Sequence, residues 1–149
     1  YDLAKQDGID GYKALSKSTC LSADVSAAYD PTYASAYEAK NSCYINEGVV
    51  ISKYTGHGGK YDTSDASAEY MGKVRALLEK NNVMWQVGEL GKVDMGGGGT
   101  IAKYVANMNV DVVDLGVPVL CMHAPFEIVS KIDVYMAYRA FFAFFDDKI

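Results

Sequence analysis

Short apolar runs rich in β-branched residues alternate with segments of helical period along this chain. That alternation confines it to folds in which helices cover a sheet. The clearest run is Gly48 to Tyr54 (GVVISKY), set between glycine-bearing segments. Thr19-Cys20-Leu21-Ser22-Ala23 reads as a strand that ends at Asp24, and Val83 to Val87 reads as another. Val110 to Val113 and Val117 to Met122 supply two more, broken by Gly116 and Pro118. The strongest helix carries Tyr70, Val74, Leu77 and Leu78 at i, i+4, i+7 and i+8. Ser64 or Asp62 is its expected N-cap, and Asn81-Asn82 its stop. A short helix is expected around Ile101, Tyr104 and Val105. The last should run from about Pro125 to about Phe145, with Ile128, Ile132, Tyr135 and Met136 as its apolar stripe.

The predicted fold is α/β: a three-layer sandwich with a mainly parallel sheet and helices on both faces. No repeat or linker divides the 149 residues, which are enough to bury a core. Ligands in such sheets gather beyond the carboxyl ends of strands. Asp24 and His123 each follow an expected strand, so both are expected at that edge.

Composition narrows the partners. The net charge of −5 and scattered lysines argue against nucleic acid, which needs a basic stripe to track phosphates. No apolar stretch approaches the ~18 residues of a membrane span. The three cysteines (Cys20, Cys43, Cys121) lack the spacing of a zinc knuckle or redox pair. They are expected as buried thiols in a reducing compartment, hence the cytoplasm. The opening Tyr1-Asp2-Leu3 has neither an initiator methionine nor a signal pattern, and reads as a chain already in progress.

Residue chemistry alone leaves the candidate groups open. A carboxylate at a strand exit, such as Asp24, is more often a cap or turn former than a ligand. His123 is one of two histidines, and a lone histidine at a core edge is usually just hydrogen-bonded. Imidazole and carboxylate are nonetheless the ligand types that suit zinc, manganese or cobalt. His57, among glycines, reads as a solvated loop residue. The run Gly96-Gly97-Gly98-Gly99-Thr100 lets a backbone approach a ligand closely. It lacks the Gly-Lys-Ser/Thr ending of a phosphate loop and any GxGxxG frame. Cys121 and His123 are two apart and would share one face of a strand, which leaves a Cys-His hydrolase conceivable. Glu89, Asp94 and Glu127 are possible orienting groups. Glu127 stands one helical turn after His123, where a carboxylate can fix an imidazole.

Taken together, the ordered segments resemble the aspartyl aminopeptidase and aminopeptidase I family of metallopeptidases, in its bacterial, clostridial-like branch. They are Leu21-Ser22-Ala23-Asp24-Val25 with Asp30-Pro31-x-Tyr33, and Gly48 to Gly56. Gly88-Glu89-Leu90-Gly91-Lys92-Val93-Asp94, Gly97 to Ile101 and Leu115 to His123 complete the set. The resemblance implies a pair of divalent metal ions, usually zinc, with Asp24 on one and His123 on the other. It implies hydrolysis of the N-terminal peptide bond of a peptide substrate by metal-activated water. Lys53 matches a lysine near the substrate side-chain pocket, Tyr61 a nearby tyrosine, and Gly99 and Thr100 the loop beside bound substrate. The catalytic base has no counterpart here.

Two departures qualify that implication. Ala27 stands where the aspartyl-specific branch has a histidine, so an acidic first residue is not favoured over a neutral one. The family's first metal histidine, bridging aspartate, paired glutamates and dimerisation domain have no match in residues 1–149. The chain is therefore expected to be the carboxyl-terminal portion of the catalytic domain. It should be inactive alone and form a homo-oligomer in the full-length protein. The alternatives are a non-catalytic fragment or interaction module that keeps the fold, and a small-ligand binder using Gly97 to Thr100.

Overall fold

The computed structural model describes residues 2–58, 60–92 and 94–147. Gly59, in the glycine-flanked segment around His57, and Val93 in the 88–94 segment lie outside them. Two short helices, α1 (Asp2–Gln6) and α2 (Gly11–Leu15), precede strands β1 (Thr19–Ser22) and β2 (Ser26–Ala27). A 3-10 segment, Pro31–Ala36, follows, then β3 (Val49–Ser52), α3 (Ala68–Lys80) and β4 (Trp85–Val87). The chain continues through α4 (Ala102–Ala106), β5 (Asp111–Gly116), β6 (Pro118–Leu120), β7 (Ile128–Val129) and α5 (Lys131–Asp146).

All four residues of β3 are buried, because the strand lies inside a sheet covered on both faces. That sheet has the order β1-β5-β3-β4, and a second has the order β2-β6-β7. Strands β1 and β5 run parallel, as do β3 and β4, and β2 and β6. The β3–β5 junction is antiparallel, so the two halves of the larger sheet end in opposite directions. The α/β class holds, but carboxyl strand ends do not gather on one edge.

On one face, Leu21, Val49, Ile51, Val113 and Leu115 pack against Tyr70, Val74 and Leu78 of α3 and Ala137 and Ala140 of α5. Each large side chain buried there contributes about 1.5–3 kcal/mol. On the other face, Val50 meets Ala28, Cys43 and Leu120. There α4, entered through Thr100, packs on β5.

Both long helices begin later than expected. The N-cap of α3 is Ser67, whose Oγ accepts the Tyr70 amide at 3.1 Å, not Ser64 or Asp62. The intervening residues stay non-helical, and the Ala66 amide donates to the Lys53 carbonyl at 2.9 Å. Helix α5 starts at Lys131, capped by Ser130. Residues 128–129 instead pair with Val119 and Leu120. Its buried side is Asp133, Ala137, Ala140 and Ala143, while Ile132 and Tyr135 are exposed. Of the expected stripe, only Met136 packs on the core. Small alanines bring this helix close to the sheet, and the large apolar groups turn outward.

Candidate functional site

A polar row crosses the larger sheet in register: Ser22 on β1, Asp114 on β5, Ser52 on β3. All three are buried. Ser52 Oγ donates to the Gly88 carbonyl at 2.9 Å, extending the row to the chain leaving β4. Ser26 Oγ lies 3.3 Å from the Ser52 hydroxyl, and Thr100 Oγ1 donates to Asp114 Oδ2 at 3.0 Å. Ser22 Oγ and Asp114 Oδ1 have no hydrogen-bond partner among the described residues. Burial pushes the Asp114 carboxyl above the usual carboxylate range, and the neighbouring hydroxyls of Ser22 and Thr100 offset only part of that. Strands β1 and β3 arrive at this row from opposite directions. Asp24 and Lys53 therefore leave it on opposite sides.

Asp24 is exposed just past the row, its Oδ1 accepting the Val25 amide at 2.8 Å. The chain then turns into β2 beside β6, where Ser26 is level with Pro118. His123 lies beyond the far end of β6, in the hairpin loop to β7. It is exposed, with φ 67°, and Cys121 before it has φ 57°. Only turns or strain hold such backbones in non-glycine residues. The Ala124 amide donates to the Cys121 carbonyl at 2.9 Å, and Glu127 Oε1 accepts the His123 amide at 2.6 Å. Glu127 thus fixes the loop backbone; no helical turn links it to His123.

Asp24 leads into β2 and His123 follows β6, two strands that pair in parallel. No group of three or more His, Cys, Asp or Glu side chains arranged to hold a metal occurs among the described residues. Catalytic zinc takes three protein ligands. The two donors fit zinc in kind, but the described residues do not complete a site. Only Cys43 of the cysteines is buried, its thiol pushed up to about 12 by burial. Cys20 is partly exposed, and Cys121 is exposed on the hairpin loop rather than sharing a strand face with His123.

A second cluster forms where β3 and β4, running parallel, both end. Lys53 Nζ contacts Asp65, and Lys60 Nζ reaches the other oxygen of that carboxylate at 2.5 Å. Lys60 also stands 4.8 Å from the centre of the Tyr54 ring. Glu89, just past β4, donates its amide to the Asn41 carbonyl at 2.7 Å. Burial pushes its carboxyl up to about 7, against the opposing pull of Lys60. Tyr54, Thr55, Gly56, Glu89, Gly96 and Gly97 line a cleft here.

The glycine run forms one wall of this cleft. Gly98 donates its amide to the Thr55 carbonyl at 2.7 Å, and Gly58 donates to Gly96 at 2.9 Å. Gly97 has φ +105°, and a β-carbon there would fall 2.0 Å from the Gly56 carbonyl oxygen. Only glycine fits that position. With the Gly98 amide engaged by Thr55, the loop's amides are not simply free for an anion. Gly99 and Tyr61 are exposed, and Tyr61 pairs with His57 in an isolated bridge. Lys53 is held by Asp65 close enough to Glu89 for its charge to act on that carboxyl. Thr100 ties the glycine wall to the row beside Asp24. Sequence reading missed Asp65 and Asp114. An acid inside the apolar run of β5 was the available signal for the second.

Comparison with known proteins places this geometry in a family. The family described as "Aminopeptidase I zinc metalloprotease (M18)" matches residues 2–145. A "Probable M18 family aminopeptidase 1" of Borrelia garinii is 50% identical over 135 residues, which are 91% of this chain and 30% of that relative. The crystal structure of aminopeptidase I from Clostridium acetobutylicum superposes with TM-score 0.91 at 47% identity, covering 97% of this chain and 32% of that one. The mApe1 dodecamer of Saccharomyces cerevisiae, at 23% identity and TM-score 0.70, shares the fold. The chain spans about a third of the length of these relatives. The chain belongs to the aminopeptidase I family of zinc metalloproteases.

Proposed function

We propose that the protein to which this chain belongs is a metal-dependent aminopeptidase that hydrolyses the N-terminal peptide bond of peptides. The family match across residues 2–145 is the observation that carries this reading. In it, the chain is the carboxyl-terminal portion of the catalytic domain, and the site holds two divalent ions, zinc in the first instance. Asp24 serves one ion and His123 the other, each as a terminal ligand. Their exposure and the left-handed backbone at His123 support that assignment, since such strain collects at functional positions. Metal ions at such a site polarise the scissile carbonyl and acidify water. The remaining ligands and the catalytic base come from outside residues 1–149.

Lys53, Tyr61, Gly99 and Thr100 are read as substrate-binding. The first and last join the two polar clusters described above, which supports them more than the exposed Tyr61. The full-length protein is read as a homo-oligomer of the cytoplasm. No helix among the described residues is long and apolar enough to cross a membrane.

Metal content tests this directly. Zinc per chain, measured by mass spectrometry on the full-length enzyme, should fall by about one ion in Asp24→Ala and in His123→Ala. Unchanged zinc in both variants would remove them from the site. The 149-residue chain alone should not hydrolyse aminoacyl-nitroanilides, because a partial ligand set does not hold its metals. Chelator-sensitive hydrolysis by it would overturn that expectation.

A second reading, an interaction module without a complete metal site, is favoured by one observation. Tyr135, Tyr138, Phe142 and Phe145 on α5 are exposed. A full-length protein free of zinc and inactive on every aminoacyl substrate would decide for it.

A further inference from the structure

We propose that Asp65 determines specificity: by engaging Lys53 and Lys60 together, it fits the cleft at the ends of β3 and β4 to uncharged N-terminal side chains and against acidic ones. The inference rests on the reading that Lys53 lines the substrate side-chain pocket.

Asp65 is held beside Lys53 by the backbone, not by chance proximity of two long side chains. The next residue, Ala66, donates its amide to the Lys53 carbonyl at 2.9 Å. Two residues earlier, Thr63 Oγ1 accepts the Thr55 amide at 3.1 Å. The segment carrying Asp65 is therefore anchored along the exit of β3 at both ends. Both carboxylate oxygens are engaged, one by each lysine. Burial alone would raise this carboxyl, yet the two ammonium groups outweigh it and hold it below the usual range. Asp65 is thus a fixed negative charge.

Both cations are thus engaged by Asp65, and the cleft beside them carries Glu89, Lys92 and Asp94. Side-chain exposures of 36% for Lys53 and 37% for Asp65 leave the pair within reach of a ligand. An acidic side chain entering here meets lysines already paired and the negative charge of Asp65. An uncharged side chain meets neither penalty, and the Tyr54 and Leu90 walls offer it apolar surface. Discrimination of this kind comes from repelling the wrong ligand as much as from attracting the right one.

The experiment compares kcat/KM for aspartyl- and leucyl-nitroanilides on the full-length, zinc-loaded enzyme and its Asp65→Asn, Asp65→Glu and Lys53→Met variants. The unsubstituted enzyme should favour the leucyl substrate. Asp65→Asn should raise the aspartyl-to-leucyl ratio roughly tenfold, the effect of removing one like charge at short range. Asp65→Glu, which keeps the charge, should leave the ratio near its starting value. Asp65→Ser gives a second charge-removing variant should the asparagine form fail to fold. If Lys53→Met shifts the kinetics while both charge-removing variants keep the starting ratio, the role of Asp65 is overturned. If Lys53→Met changes neither substrate, Lys53 is not in the pocket, and the underlying reading falls with the inference.

Discussion

The carbonyl oxygen of Asp24 lies 1.4 Å from where a β-carbon on Gly116 would stand. The exit of β1 is thus seated on the bare backbone at the end of β5. Both partners in this contact are main chain, so neither can yield by changing a rotamer. Gly116→Ala should destabilise the chain by about 3 kcal/mol, the upper end for overpacking a tight contact. It should also displace Asp24. Urea unfolding of the two forms measures the first effect, and an unchanged midpoint would mean that Asp24 is not seated there.

Asp133 is buried in the middle of the α5 contact face and accepts two backbone amides, Asn46 at 2.6 Å and Gly48 at 2.8 Å. It therefore fastens the helix to the turn that starts β3. Asp133→Ala removes both acceptors and leaves two donors unsatisfied, a loss of about 3 kcal/mol. Asp133→Asn keeps one carbonyl acceptor and should lose roughly half as much. Equal denaturation midpoints for the alanine variant and the unsubstituted chain would remove Asp133 from this role.

That residue also shows where sequence reading stops. Apolar period located α3 correctly, because Tyr70, Val74, Leu77 and Leu78 are the residues it buries. The same rule misplaced the stripe of α5, whose contact face is alanine and one carboxylate. Hydrophobicity marks what a helix can bury, but close approach to a sheet selects small side chains, and an acid fits wherever free amides await it. The positions of β1, β3, β4, β5 and β6 were legible from β-branched runs, but those of the two-residue β2 and β7 were not. The reversal of direction between β3 and β5 was not, since a run of valines carries no sign of orientation. Asp24, Lys53 and Thr100 were singled out by segment resemblance, where residue chemistry alone left them open. Asp65 and Asp114 matter through contacts that distant parts of the chain bring together.

Thr100 ties the glycine wall to the buried row through its hydrogen bond to Asp114. Thr100→Val keeps the shape but removes the donor, leaving both oxygens of a buried carboxyl without a partner among the described residues. A loss of about 1–3 kcal/mol is expected. Thr100→Ser retains the hydroxyl and should lose less than about 1 kcal/mol. Because the wall hangs on this bond, the valine form should also be cut faster by protease within residues 96–99. Identical cleavage rates in the two variants would show that the wall is held by its contacts to Thr55 and Gly58 alone.

Glu89 gives the cleft a pH dependence with a definite sign. Burial raises its carboxyl to about 7, above the ~4.3 of an unfolded glutamate. The folded chain therefore retains a proton that the unfolded chain has already released. The stability this group contributes is full below the unfolded value, declines as pH rises, and is gone above about 7. The side chain is only half-buried, so solvent screening reduces the effect to about 1 kcal/mol. Urea unfolding at pH 5 and pH 8 should show this decline in the unsubstituted chain and its loss in Glu89→Gln. Subtracting the two profiles cancels every other titrating group. Parallel profiles would mean that Glu89 ionises in the folded cleft as it does in the unfolded chain.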